Sequence, residues 1–194
     1  MNIQDLTDEE LFERTQAGGE EAFTCLYRRR QAGVYRFALR MSGSAAIAED
    51  VTQEVFLALL RDGSRYSPKR GSVAAYLLGI SRKQVLRRLE RDGPQAAATT
   101  ASDEPVSAAE GPLGELTRDE SIQTIRGAVL GLPAHYREVV ALCDLEEMRY
   151  EDAAAALGCA VGTVRSRLHR AHGLLAQKLC QRGVNYEQSG FSRV

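Results

Sequence analysis

Between Glu20 and Met41 the chain places Phe23, Leu26, Tyr27, Val34, Phe37, Ala38 and Met41 at the spacing of one helix face. Ser42-Gly43-Ser44 interrupts this pattern, and a second run, Ile47, Val51, Val55 and Leu59 with Phe56 and Leu60 beside it, predicts a helix from about Ala46 to Arg61. A shorter helix is expected ahead of both. Thr7 is placed to cap it, Asp8-Glu9-Glu10 suits the positive end of its dipole, and Gly18-Gly19 ends it. After the Gly-, Ser- and Pro-containing loop 62–72, Val73, Leu77, Ile80 and Leu89 mark a fourth helix from about Ser72 to Arg91.

The pattern then stops. Residues 93–115 carry three prolines and four acids, with little bulky apolar residue beyond Val106 and Leu113. Such a stretch cannot build a core of its own and reads as a linker, taken here as 93–117. It would reach ~80 Å fully extended and ~25–30 Å as a flexible coil. Helical spacing resumes from Leu116 to Leu130. Gly131-Leu132-Pro133 breaks it, and Pro133 starts a helix carrying Val139, Val140, Leu142 and Leu145. A short helix from Glu151 to Leu157 and a longer one to about Gln181 complete the pattern. The expected fold is all-α: two small helical domains, 1–92 and 118–182, a linker between them, and a loose tail at 183–194.

Composition agrees with helices, since aromatic residues make up only 6% and tryptophan is absent. No apolar run approaches the ~20 residues of a membrane span, and the acidic start is unlike a signal peptide, so a cytoplasmic protein is expected. Cys25, Cys143, Cys159 and Cys180 are scattered without zinc spacing, which argues for plain thiols over a disulfide framework, a metal site or redox sensing. The net charge of −1 conceals local contrast. Residues 5–21 are mostly acidic; 82–91 hold Arg82, Lys83, Arg87, Arg88 and Arg91 against Glu90; 162–178 hold Arg165, Arg167, Arg170 and Lys178 with no acid.

That last cluster falls inside YEDAAAALGCAVGTVRSRLHRA (150–171), which has the spacing of a helix-turn-helix. Ala154 is small where two helices must cross, Gly158 suits a left-handed turn, and Val161, Val164 and Leu168 supply a buried side. Thr163, Ser166, His169 and Arg170 lie on the opposite side of the second helix, flanked by Arg165 and Arg167. Arginine there can pair with guanine in the major groove or hold a phosphate. A merely solvated basic face is the competing reading, and the accompanying Gly and apolar spacing weighs against it.

Together with AEDVTQEVF (48–56), RGSVAAYLLGISRKQVLRRLER (70–91) and LPAHYREVVALCDLEE (132–147), this motif resembles the extracytoplasmic-function class of bacterial RNA polymerase sigma factors of the sigma-70 family. The resemblance covers about residues 10–91 and 118–180, the family's region 2 and region 4. It implies that Asp50, Gln53, Glu54 and Phe56 dock on core RNA polymerase, with Phe56 or Leu57 as the apolar anchor; an acidic solvent face with intrahelical pairs stays open for the acids. It implies that Arg70, Arg82, Lys83, Arg87 and Arg88 hold phosphates of the −10 single strand, while Tyr66 and Tyr76 stack on its bases. Core packing remains open for both tyrosines. Thr163, Arg165, Ser166, Arg167, His169 and Arg170 would bind promoter DNA at the −35 element. The family commonly has Trp near Tyr76 and Asn near Lys83, and their absence leaves the −10 sequence unread. The linker would either thread a basic polymerase channel or serve as a tether.

No enzyme motif is present, neither G-x-x-x-x-G-K-[ST] nor H-E-x-x-H nor G-x-S-x-G, and no cofactor is expected. The resemblance further implies an anti-sigma protein as partner. The alternative is a stand-alone helix-turn-helix regulator, usually dimeric on a symmetric operator. No heptad seam supports a dimer.

Overall fold

The computed structural model describes residues 2–92 and 122–181, and every regular element among them is helical. The linker and the tail lie outside the described residues, as does the expected helical start at 116–121.

Local chemistry sets the ends of the first four helices. α1 (Asp8–Gln16) opens on a capping box: Thr7 Oγ accepts from the Glu10 amide at 3.2 Å, and the Glu10 carboxylate accepts from the Thr7 amide at 2.7 Å. α2 (Glu20–Ser42) ends at Gly43 in the left-handed region, φ 72°. Ser44 then caps α3 (Ala45–Asp62) by accepting from the Ile47 amide at 3.4 Å. α4 runs Val73–Asp92. The apolar stripes read from the sequence meet in the middle, where Leu11, Leu26, Phe37, Met41, Val51, Val55, Leu59, Val73 and Leu77 are all buried. Each such side chain contributes roughly 1.5–3 kcal/mol by leaving water. Asp8, also buried, is compensated by ion pairs to Arg29 (2.8 Å) and Arg30 of α2.

The second unit begins with α5 (122–130) and α6 (Ala134–Val139), the latter with Pro133 as its N-cap, one position earlier than the sequence suggests. Over Val140–Leu145 the helix widens to a π-turn, the Glu146 amide donating to the Ala141 carbonyl at 3.1 Å. α7 (Tyr150–Leu157) ends at Gly158, φ 65°, and α8 (Val161–Gln181) follows. Val164, Leu168 and Ala171 are buried, as the helix-turn-helix spacing requires.

The sequence left the relative placement of the two units open. In the structure they are packed together, and their buried residues form one continuous apolar cluster from Leu6 to Ala171. α7 lies along α4, and the approach depends on small residues. A Cβ added at Gly79 would stand 3.2 Å from the Ala156 carbonyl oxygen, and one at Gly71 2.8 Å from the Ala155 Cβ. Ala153 and Ala154 are buried as well, while Ala155 and Ala156 stand against Gly71 and Gly79 of the first unit, a contact the sequence did not suggest.

Candidate nucleic-acid and polymerase interfaces

α3 presents an outward stripe at helical spacing: Asp50, Gln53, Glu54, Leu57 and Leu60. The two leucines are 55% and 48% exposed, which leaves large apolar surface beside carboxylates. Phe56 does not belong to that stripe. It is 3% exposed, with its ring 4.7 Å from Tyr27 and 6.3 Å from Phe23 of α2. The position flanks the buried face, and the aromatic residues of α2 draw the ring inward. Of the two apolar anchors that the sequence reading offered, Leu57 is the one that faces outward.

The acids of this ridge are tied from the neighbouring helix. Arg88 of α4 donates to both oxygens of Glu54, at 3.1 and 2.8 Å, and stands 3.9 Å from Asp50. A bidentate pair fixes the Glu54 rotamer and places Arg88 with the ridge instead of the outer basic face of α4. Arg82 is also occupied: its Nε donates to the Glu138 carboxylate of α6 at 2.7 Å. Arg70, Lys83 and Arg87 point to solvent. Tyr66 and Tyr76 sit in a ring cluster with Phe12, at centroid distances of 4.7 Å (Phe12–Tyr66), 6.2 Å (Phe12–Tyr76) and 5.4 Å between the tyrosines. The Tyr76 hydroxyl donates to the Asp62 carbonyl at 3.3 Å. Both tyrosines are therefore packed in this structure, and burial pushes both hydroxyls to higher pKa.

On α8, Arg165, Ser166, His169 and Arg170 are exposed, with Thr163 and Arg167 half-buried at the edges of the same face. The Arg165 guanidinium lies 5.7 Å from the ring centroid of Tyr150, at the start of α7. This contact steadies a long side chain over the turn. Sequence reasoning missed Tyr150, although an aromatic at the first residue of the leading helix is a signal that could have found it.

Behind α8, His172 Nε2 is 2.8 Å from Asp144 Oδ2. That hydrogen bond, aided by the charge of Asp144 and opposed by burial, raises the imidazole pKa. A raised folded-state value stabilises the fold fully below the unfolded value of about 6.5, and the contribution fades as pH rises through the folded value. The melting temperature should therefore fall as pH is raised across this window, and Asp144→Asn should flatten the dependence. Calorimetric melts at stepped pH check this. Cys143, next in sequence to Asp144, has its thiol pushed up to about 12 by burial and by that carboxylate, so it is not a reactive thiolate. Among the described residues no group of three His, Cys, Asp or Glu side chains could hold a metal ion.

Known proteins carry the same organisation. The family model for Sigma-70 region 2 matches residues 26–94, and that for Sigma-70 region 4 matches residues 122–172. The ECF RNA polymerase sigma-E factor of Escherichia coli K12 is 30% identical over 187 residues, 91% of this chain and 96% of its own. The chain belongs to the extracytoplasmic-function class of sigma-70 factors. The RNA polymerase sigma-H factor of Pseudomonas aeruginosa is also 30% identical, over 89% of this sigma factor and 93% of its own length. The SigE factor of Mycolicibacterium smegmatis is 34% identical over 84% of this sigma factor, and the match spans 64% of that relative. Among solved structures, the sigma factor RpoE of Bartonella quintana, in complex with the anti-sigma factor NepR, matches with a TM-score of 0.59 at 26% identity, over 77% of this sigma factor and 91% of that chain. CnrH, solved with the cytosolic domain of CnrY, shares the fold at a TM-score of 0.66 and 24% identity, over 90% and 97%. Sigma factors are initiation factors and not enzymes, which accords with the absence of catalytic motifs in the sequence.

Proposed function

We propose that this sigma factor docks on core RNA polymerase through the α3 ridge of Asp50, Gln53, Glu54, Leu57 and Leu60, and directs it to two-part promoters. Arg70, Lys83 and Arg87 hold the −10 strand, Arg82 joins them once DNA displaces Glu138, Arg88 stays with the α3 ridge, and the exposed face of α8 reads the −35 duplex. The observation that carries this reading is the presence, in one chain, of an acidic-apolar ridge and a separate helix-turn-helix with an exposed basic face. Rotation of Tyr66 and Tyr76 out of their ring cluster would make them available to stack on bases. A cytoplasmic setting is part of this proposal, supported by the two proposed partners, core polymerase and promoter DNA; no helix among the described residues is long and apolar enough to cross a membrane. An anti-sigma protein completes the set, supported by the Bartonella relative, which was solved in complex with one.

Transcription in vitro tests the proposal. Purified core polymerase, with and without the protein, is given pooled fragments of the source genome. Discrete start sites that need both components are expected, and their alignment supplies the −35 and −10 sequences. Sequence-specific DNA binding without any initiation or co-elution with core would instead support a stand-alone regulator.

A further inference from the structure

Glu54 stands at the middle of the outward stripe of α3, with Asp50 and Gln53 on one side and Leu57 and Leu60 on the other. Arg88 reaches it from α4, donating to both Glu54 oxygens at 3.1 and 2.8 Å and standing 3.9 Å from Asp50. Depth orders the three groups. The Arg88 side chain is 13% exposed, that of Glu54 40% and that of Asp50 69%. A molecule approaching α3 therefore meets the carboxylates before the guanidinium that holds them. Lys83 and Arg87, on the same helix as Arg88, are exposed. Burial and a bidentate partner set Arg88 apart from these basic neighbours.

We infer that Arg88 is a positioning residue for polymerase docking: it holds Glu54 beside Asp50 in the arrangement that a basic and apolar surface of the core enzyme meets. This role rests on the α3 ridge being the docking surface. Three effects set its direction. Asp50 and Glu54 are like charges at i, i+4, a spacing that repels on a bare helix, and the guanidinium beside both offsets the repulsion. A free glutamate side chain gives up its rotamers when an interface fixes it; the fork has already fixed Glu54 before the partner arrives. An ionised carboxylate also offers about four acceptor positions, and the fork takes one on each oxygen, which leaves the others for a partner's donors.

One effect runs the other way, since a basic partner is repelled by Arg88 itself. A single guanidinium against two carboxylates leaves net negative charge on the ridge, and it lies deeper than either acid. Positioning therefore outweighs repulsion. The fork also joins the ridge to the helix that carries Lys83 and Arg87, so the docking surface and those −10 candidates are held in one orientation.

A double-mutant cycle on the full chain tests the role. Wild type, Arg88→Gln, Glu54→Gln and the double variant, each carrying a fluorophore, are titrated with purified core polymerase. Arg88→Gln should weaken core binding about fivefold, the effect of leaving one rotamer-rich side chain to be ordered on binding. It should add little in the Glu54→Gln background, because Arg88 acts through that carboxylate. A merely structural contribution would lower affinity by the same factor in both backgrounds. Should Arg88→Gln fail to fold, Arg88→Lys keeps the charge, loses the fork and should show most of the same loss. Binding of a fluorescent twenty-nucleotide oligo(dT) strand to the free protein should be unchanged by Arg88→Gln and weakened by Arg87→Gln.

Core affinity that stays the same or tightens in Arg88→Gln overturns the positioning role. So does a loss that multiplies with that of Glu54→Gln, or a fall in oligonucleotide affinity equal to that of Arg87→Gln. If Glu54→Gln lowers core affinity while Arg88→Gln is silent, the positioning role alone falls. If both are silent, the ridge is not the docking surface, and that part of the proposed function falls with it.

Discussion

Phe56→Ala should destabilise the protein by about 3–5 kcal/mol, whereas Leu57→Asp, one residue on, should leave the melt within about 0.5 kcal/mol of wild type. The difference follows from helix phase. Phe56 fills space between α3 and α2 against Tyr27 and Phe23, so truncation leaves a cavity and removes two ring contacts. Leu57 projects from the acidic ridge and touches water. The functional consequences should invert the thermal ones. If the ridge docks on polymerase, a carboxylate at 57 meets the partner's apolar surface without compensation, and affinity for core should fall at least about tenfold, the effect of losing a central apolar anchor. Thermal melts and surface-immobilised core polymerase, measured on both variants, separate the two roles. A stable Phe56→Ala protein that no longer binds core would return the docking anchor to Phe56.

The same pair of residues shows where sequence reading stops. Period alone assigned α3 and its buried stripe correctly, because Ile47, Val51, Val55 and Leu59 recur on one side. A residue at the edge of that stripe is not decided by its own helix. Phe56 is drawn inward by aromatic residues on α2, about thirty positions away on the far side of a turn. Ends of helices were legible wherever the chemistry is local: Thr7 with Glu10, Ser44 with Ile47, and Gly158 each act within a few residues. Charges were not legible. Arg82 and Arg88 look alike in a basic run, yet one is paired to Glu138 and the other to Glu54, 56 and 34 positions away. The packing of α7 on α4 left only a faint trace in the sequence, a glycine at 79 and a run of four alanines, and that run already had a sufficient explanation within the helix-turn-helix.

If Arg165 reads a guanine, as proposed, Arg165→Ala should weaken binding to the −35 duplex by about 1–3 kcal/mol and relax the preference at one base position, because a bidentate contact is lost from the recognition face. Tyr150→Leu separates reading from positioning. It keeps the guanidinium but removes the ring at 5.7 Å, a contact of about 0.5–1 kcal/mol at an exposed site. Its expected effect is smaller, and the base preference should survive, since the hydrogen-bonding fork is intact. The double variant should lose less than the sum of the two single losses, because Tyr150 acts only through Arg165. Fluorescence anisotropy on duplexes carrying each base at the affected position would measure all three variants, using the −35 sequence obtained from transcription. An additive double variant would assign Tyr150 a contact of its own with the DNA backbone. Equal relaxation by both single changes would mean that the ring holds Arg165 in its reading rotamer, making specificity at that base a property of the pair.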